Sequence, residues 1–141
     1  MVVKISTASI VGLDAFKVDV EIDIVTAMKQ EIAIVGLPDT AVNEAALRVK
    51  SAIKNSEFSF PAKKIVVNLA PADLKKAGTH FDLPIALGIL CEEEVVEREK
   101  LKNYAFLGEL SLDGAVRSVR GVLPLVMGLR SFGIGNVIVP M

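Results

Sequence analysis

Apolar and polar residues alternate with a period of two over the first 25 positions of the chain, and the spacing then lengthens to that of a helix. Residues 2–11 and 14–25 read as two strands joined at Gly12-Leu13. In the second, Phe16, Val18, Val20, Ile22 and Ile24 fall on one face and Lys17, Asp19, Glu21 and Asp23 on the other, the pattern of an antiparallel strand with one solvated face. Glu31 to Val35 predicts a third strand, ended by Gly36-Leu37-Pro38-Asp39. Asp39 or Thr40 is expected to cap a helix to about Asn55. Its inner stripe, Ala41, Ala45, Val49, Ala52 and Ile53, is rich in alanine and predicts close packing on a sheet.

Lys64 to Leu69 is a short β-branched strand, and a second helix is expected from Asp82 to about Val95. Tyr104 to Leu110 predicts a strand, Asp113-Gly114 a turn, and Val116 to Val119 a strand pairing back across it. A third helix, Val122 to Phe132, stops at Gly133, and Asn136 to Val139 closes the fold. The order β-β-β-α-β-α-β-β-α-β is α+β with a mixed sheet. With no repeat, low-complexity segment or linker, it predicts one domain over residues 1–141.

Composition narrows the class. At 52% hydrophobic residues the chain of 141 is no disordered segment and can bury a core. No apolar run approaches the roughly 20 residues of a membrane span, so no membrane partner is expected. The opening reads as a strand, not a signal peptide, and the single Cys91 fits a reducing, cytoplasmic setting. A net charge of −1 argues against a basic domain that coats nucleic acid by itself. Local basic groups remain: Lys63, Lys64, Lys75 and Lys76 cluster in sequence, with Arg117 and Arg120 as a second group. One Tyr, six Phe and no Trp leave little for base stacking.

The chemistry-bearing motifs are few. No G-x-x-x-x-G-K-[ST] loop is present, and Gly133-x-Gly135 precedes a strand, so no nucleotide or other cofactor is expected within this segment. His80, the single histidine, sits in Gly78-Thr79-His80-Phe81-Asp82. As a general base it would want Asp82 to orient it. As a metal ligand it lacks companions, since Cys91 lies a helix away. The structural reading is favoured, with Asp82 as the N-cap of the second helix and Gly78 supplying a backbone conformation other residues resist. Glu109 is expected to pair with Arg117 or Arg120.

Two segments are specific enough to suggest a family. VNLAPADLKK followed by GTHFDLPIALGIL, and LGELSLDGAVRSVRGVLP from Leu107 to Pro124, resemble the N-terminal domain of the ComM/YifB proteins, the Mg-chelatase-like AAA+ family of bacteria. The resemblance runs from KISTASIVGLDA to VIVP and implies a Lon protease-like fold, of the ribosomal protein second-domain kind. In Lon-type peptidases a Ser on the loop opening the second helix works with a Lys near the start of the third. Here His80 stands at the Ser position and Leu125 at the Lys position, so the resemblance implies a degenerate dyad without peptidase chemistry. The C-terminal domain of the RadA recombination proteins is similar in the same respect. The resemblance further implies an AAA+ motor beyond Met141 that uses ATP and Mg. Such a motor would be a homo-hexameric helicase driving branch migration on single-stranded or branched DNA during natural transformation, with this domain aiding assembly and DNA guidance. Two other classes remain open, a protein-interaction domain of a chelatase-related ATPase and a cryptic Lon-like hydrolase. The latter would need Ser111 or Ser118 near His80.

Overall fold

In the computed structural model, which describes residues 2–141, the alternation at the start of the chain becomes a long antiparallel hairpin, β1 (Val3–Val11) and β2 (Asp14–Val25). Val3 faces Ile22, Ile5 faces Val20 and Thr7 faces Val18, so the apolar residues of both strands share one face. β3 (Glu31–Val35) and β4 (Lys64–Ala70) run parallel to each other, and β4 joins antiparallel to β2. β5 (Tyr104–Phe106) and β8 (Asn136–Ile138) complete a six-stranded mixed sheet of order β3-β4-β2-β1-β5-β8.

Helices cover both faces of this sheet. α1 (Asp39–Asn55) and α2 (Asp82–Glu92) lie on the face carrying Ile5, Val20, Ile22, Val67 and Leu69, and with it they bury the larger core. α3 (Arg98–Leu101) is a single turn. α4 (Val122–Ser131) lies on the opposite face, where Leu125 and Leu129 close over Ala8, Ala105 and Leu107. The wet face expected of β2 is therefore only partly wet. α4 crosses the hairpin so closely that Gly128 lies directly against Ala15, with no room between them for a side chain.

The expected strand from Tyr104 to Leu110 is two strands. Leu107 and Gly108 are buried between them, and β6 (Glu109–Leu110) turns away to form a separate hairpin with β7 (Val116–Arg117). The break has a visible cause. The amide of Leu107 donates to Ile138 of the main sheet, while the carbonyl of Gly108 is taken by the amide of Leu83 on α2. The chain thus leaves one ladder to satisfy the mouth of a helix. The second helix ends at Glu92, short of the expected Val95. Neither Asp39 nor Thr40 caps α1: Pro38 occupies the N-cap with no side-chain hydrogen bond, and its fixed φ leads into the helix.

Gly128→Ala is expected to lower stability by about 1–3 kcal/mol, an overpacking cost that exceeds the gain in helix propensity. Gly135→Ala, in open space, should be neutral. Urea midpoints of the two variants against the parent check this.

Candidate functional site

The loop opening α2 meets the segment opening α4. Gly78, Thr79 and His80 from the first, Ser118, Val119 and Arg120 from the second, and Glu109 from β6 line one cleft of about 390 Å³. Gly78 has φ +111, a region side chains resist, and a Cβ there would come within 2.8 Å of Nδ1 of His80. The loop can place its histidine only because residue 78 is glycine.

His80 is 6% exposed. Its Nε2 lies 2.7 Å from the carbonyl oxygen of Ala8, and since a carbonyl only accepts, Nε2 carries the hydrogen and donates it. Burial pushes the imidazole pKa down, against a smaller upward pull from that bond. The neutral ring pins the loop to β1. Among the described residues it has no carboxylate partner, and Ser118 makes no hydrogen bond to it.

Asp82, expected as an N-cap, is not one. Phe81 holds that position, and the Asp82 carboxylate, 1% exposed, points away from the helix end. Its Oδ2 accepts from Nε of Arg48 at 2.6 Å and from the amide of Leu110 at 3.1 Å, while its Oδ1 accepts from Nη2 of Arg48 at 3.1 Å. One bidentate, charge-assisted contact therefore ties α1, α2 and the β6–β7 hairpin together. Burial pushes the Asp82 carboxyl above its ordinary range, and Arg48 and the Leu110 amide pull it partly back. Arg48 is held charged chiefly by its bonds to Asp82. Sequence reasoning missed Arg48. The signal was an arginine within the Ala45–Ala52 stripe, where a cation facing inward demands a buried anion.

The N-terminus of α2 offers no free anion cradle. The amide of Asp82 donates to Thr79 and that of Leu83 to Gly108. These donors, with Glu109 beside them, do not fit a nucleotide phosphate. Among the described residues no group of three His, Cys, Asp or Glu could hold a metal ion. Leu125, on the first turn of α4, is buried against Ala8 and Leu107 and presents nothing to the cleft.

The basic residues do not form one patch. Lys63 and Lys64 stand at the start of β4 and Lys75 beyond its end, separated by a strand of seven residues, roughly 23 Å. Lys76 differs from the other three lysines. It is 1% exposed, and its ammonium donates to the carbonyls of Pro71 and Leu74, the latter at 2.6 Å, so it closes its own loop. Burial pushes its pKa down. Lys75, Arg117 and Arg120 are exposed. Glu109 faces Arg117 across the β6–β7 ladder, but among the described residues no ion pair joins it to Arg117 or Arg120. Ser111 is a turn former: it donates to Asp113 and accepts from the amide of Ala115 at 3.0 Å.

With this geometry in place, comparison with known proteins is decisive for the family. Residues 20–141 match the family of subunit ChlI of Mg-chelatase. The chain belongs to that Mg-chelatase-like family, of the ComM/YifB kind. It is 44% identical over 119 residues to competence protein ComM of Haemophilus influenzae, covering 84% of this chain and 23% of that protein. Against YifB of Escherichia coli the identity is 45% over 119 residues, with the same shares covered. A Mycobacterium tuberculosis protein, Rv2897c, is 41% identical over 129 residues, 92% of this chain and 25% of the relative. The chain thus spans about a quarter of the length of these curated relatives. Among the described residues of this family member, no helix is long and apolar enough to cross a membrane.

Two outcomes follow from the buried charges. Arg48→Met should cost about 3–5 kcal/mol near neutral pH, because it strands the Asp82 carboxylate without its partner. A raised carboxyl pKa means that the folded state holds its proton more tightly than the unfolded chain does. That contribution is present below the ordinary value of 3.8 and is lost as pH rises through the raised one. Without Arg48 nothing but the Leu110 amide pulls the Asp82 pKa back, so it rises above the parent's. The variant therefore gains more than the parent on acidification, and the gap between them should narrow, measured by denaturant unfolding across pH. His80 has the opposite sign. Its lowered pKa makes stability complete above the ordinary 6.5 and lost as pH falls from there through the lowered value. His80→Gln, which keeps a donor for Ala8, should remove that acid limb, and an unchanged limb would contradict the assignment.

Proposed function

We propose that this domain is a non-catalytic module of a longer, ATP-driven protein of the ComM type, with a Lon-like fold whose peptidase site has lost its chemistry. The observation that carries the reading is the cleft between the mouths of α2 and α4. On this reading it corresponds to the place of a Ser–Lys dyad, and it is lined by a neutral His80 tied to a backbone carbonyl, with Leu125 sunk in the core. Hydrolysis by such a dyad needs a hydroxyl and an amine of depressed pKa within hydrogen-bond reach, and neither stands at these positions. The buried amine of Lys76, four residues before His80, is engaged by two carbonyls.

The chelatase-like match and the greater length of the relatives support a motor elsewhere in the full-length chain, where ATP and Mg would act. On this reading the motor is a homo-hexameric helicase that promotes branch migration on single-stranded or branched DNA, in the cytoplasm. The domain assists assembly and guides DNA. Arg120 lines the cleft and is left to meet phosphates there, with exposed Lys75 and Arg117 as further candidates; Lys63 and Lys64 lie at the start of β4. With net charge −1 a single domain binds weakly, and a ring multiplies the binding through effective concentration.

A protein-interaction role is the second reading, favoured by Glu109 at the cleft, which would repel phosphate. Lys75→Glu combined with Arg120→Glu in the full-length protein separates the two. DNA guidance predicts a salt slope shallower by about one unit for each phosphate that the variant no longer neutralises. An unaltered slope would leave protein contact as the domain's role.

A further inference from the structure

The six-stranded sheet ends in two edges, and they are guarded unequally. β8 is three residues long and Pro140 follows soon after it, so little backbone is open there. β3 is five residues with no proline among them, and among the described residues no strand pairs with its outer side. The amide of Glu31 donates to the carbonyl of Lys63, and β3 runs parallel to β4 with Glu31 beside Lys64. In such a ladder alternate residues turn their main-chain groups to the neighbouring strand. Glu31, Ala33 and Val35 therefore face β4, and the amides and carbonyls of Ile32 and Ile34 face outward. Gln30 fixes the start of this edge, its Nε2 donating to the carbonyl of Pro61 at 2.9 Å. A cleft of about 580 Å³ lies between β3 and α1. Ile32, Leu47 and Phe60 supply its apolar wall, and Lys29, Lys50 and Glu31 its charges. Nζ of Lys50 stands 5.8 Å from the centre of the Phe60 ring, a cation–π contact that keeps the ammonium at the cleft. Among the described residues neither lysine has an ion-pair partner, so two cations line the cleft against one carboxylate.

We propose that the β3 edge accepts an extended, acidic peptide of a partner protein as an added strand. An apolar side chain of the guest seats against Leu47 and Phe60, and a carboxylate two positions away reaches Lys29 and Lys50. The open backbone calls for a strand, since extended main chain is what matches the outward amides and carbonyls of Ile32 and Ile34. Alternation along that strand places every second side chain of the guest over the cleft. The uncompensated lysines select a carboxylate among those side chains. A second copy of this chain fits less well, because pairing β3 with itself about a two-fold axis doubles the excess of cations along one seam. This cleft shares no residue with the one between the mouths of α2 and α4, and its role is separate from any guidance of DNA.

Fluorescence anisotropy of the labelled peptide TDTITV with the full-length protein tests it. In a strand the acidic and branched apolar residues of this peptide share one face and its threonines the other. Binding is expected, and Lys50→Met should weaken it by about fivefold, the worth of one exposed ion pair. With the peptide TKTITV the same substitution should cost nothing further. Lys29→Met gives the same reading should Lys50→Met fail to fold. N-methylation reports the mode of binding, because alternate amides of an added strand point at β3. Methylating one alternate set of peptide amides should abolish binding, and methylating the other should leave it. Absence of binding by TDTITV, equal effects of the two methylated sets, or an affinity unchanged in both lysine variants overturns the proposal. So does release of one protomer from another by the peptide, which would give the edge to a second copy.

Discussion

The arrangement of the cleft depends on the ion pair between Arg48 and Asp82. A carboxylate at 1% exposure is tolerable only when its acceptors are filled, and here two nitrogens of one guanidinium and the amide of Leu110 fill them. Those three donors come from α1 and β6, while the carboxylate stands on the first residue of α2. The contact therefore sets the angle at which α2 leaves its loop and the place where the small hairpin folds back. Both determine the cleft, since Gly78 to His80 form one side and Glu109 stands at its edge. Removing Arg48 leaves the carboxylate buried and unpaired, which is why such a pair constrains the fold more than it stabilises it.

Around this constraint the polar groups of the cleft loop are taken up by backbone contacts. The donors at the mouth of α2 are consumed by Thr79 and Gly108, the imidazole is consumed by Ala8, and the amine of Lys76 is consumed by its own loop. A site poised for acyl transfer would leave its nucleophile and oxyanion donors free to meet a substrate. Of the charges that line the cleft, Arg120 suits a polyanion and Glu109 tempers it.

The elements whose residues alternate or recur cleanly were legible from the sequence. The β1–β2 hairpin and the Ala45–Ile53 stripe of α1 announce their buried faces through periodicity alone. The positive φ of Gly78 was legible too, because a glycine before a helix start has few other uses. What the sequence hid was set by distant partners. Asp82 looks like a cap until Arg48 arrives from 34 residues away, and Lys76 looks like a surface lysine until its loop curls round it. The strand break at Leu107-Gly108 likewise exists to satisfy the amide of Leu83, a demand invisible along the strand itself. The Lys pairs at 63–64 and 75–76 resemble one cluster because sequence distance ignores the length of an intervening strand.

The central claim is that the cleft contributes shape and no chemistry, and His80 is where the two accounts part. The most direct measurement is the ATP-driven movement of DNA strands by the full-length protein carrying His80→Gln, with its fold verified by thermal unfolding. The account predicts strand movement at the parent rate, because glutamine can still donate to Ala8. A folded variant that hydrolyses ATP but no longer moves DNA would contradict it and return His80 to a functional role.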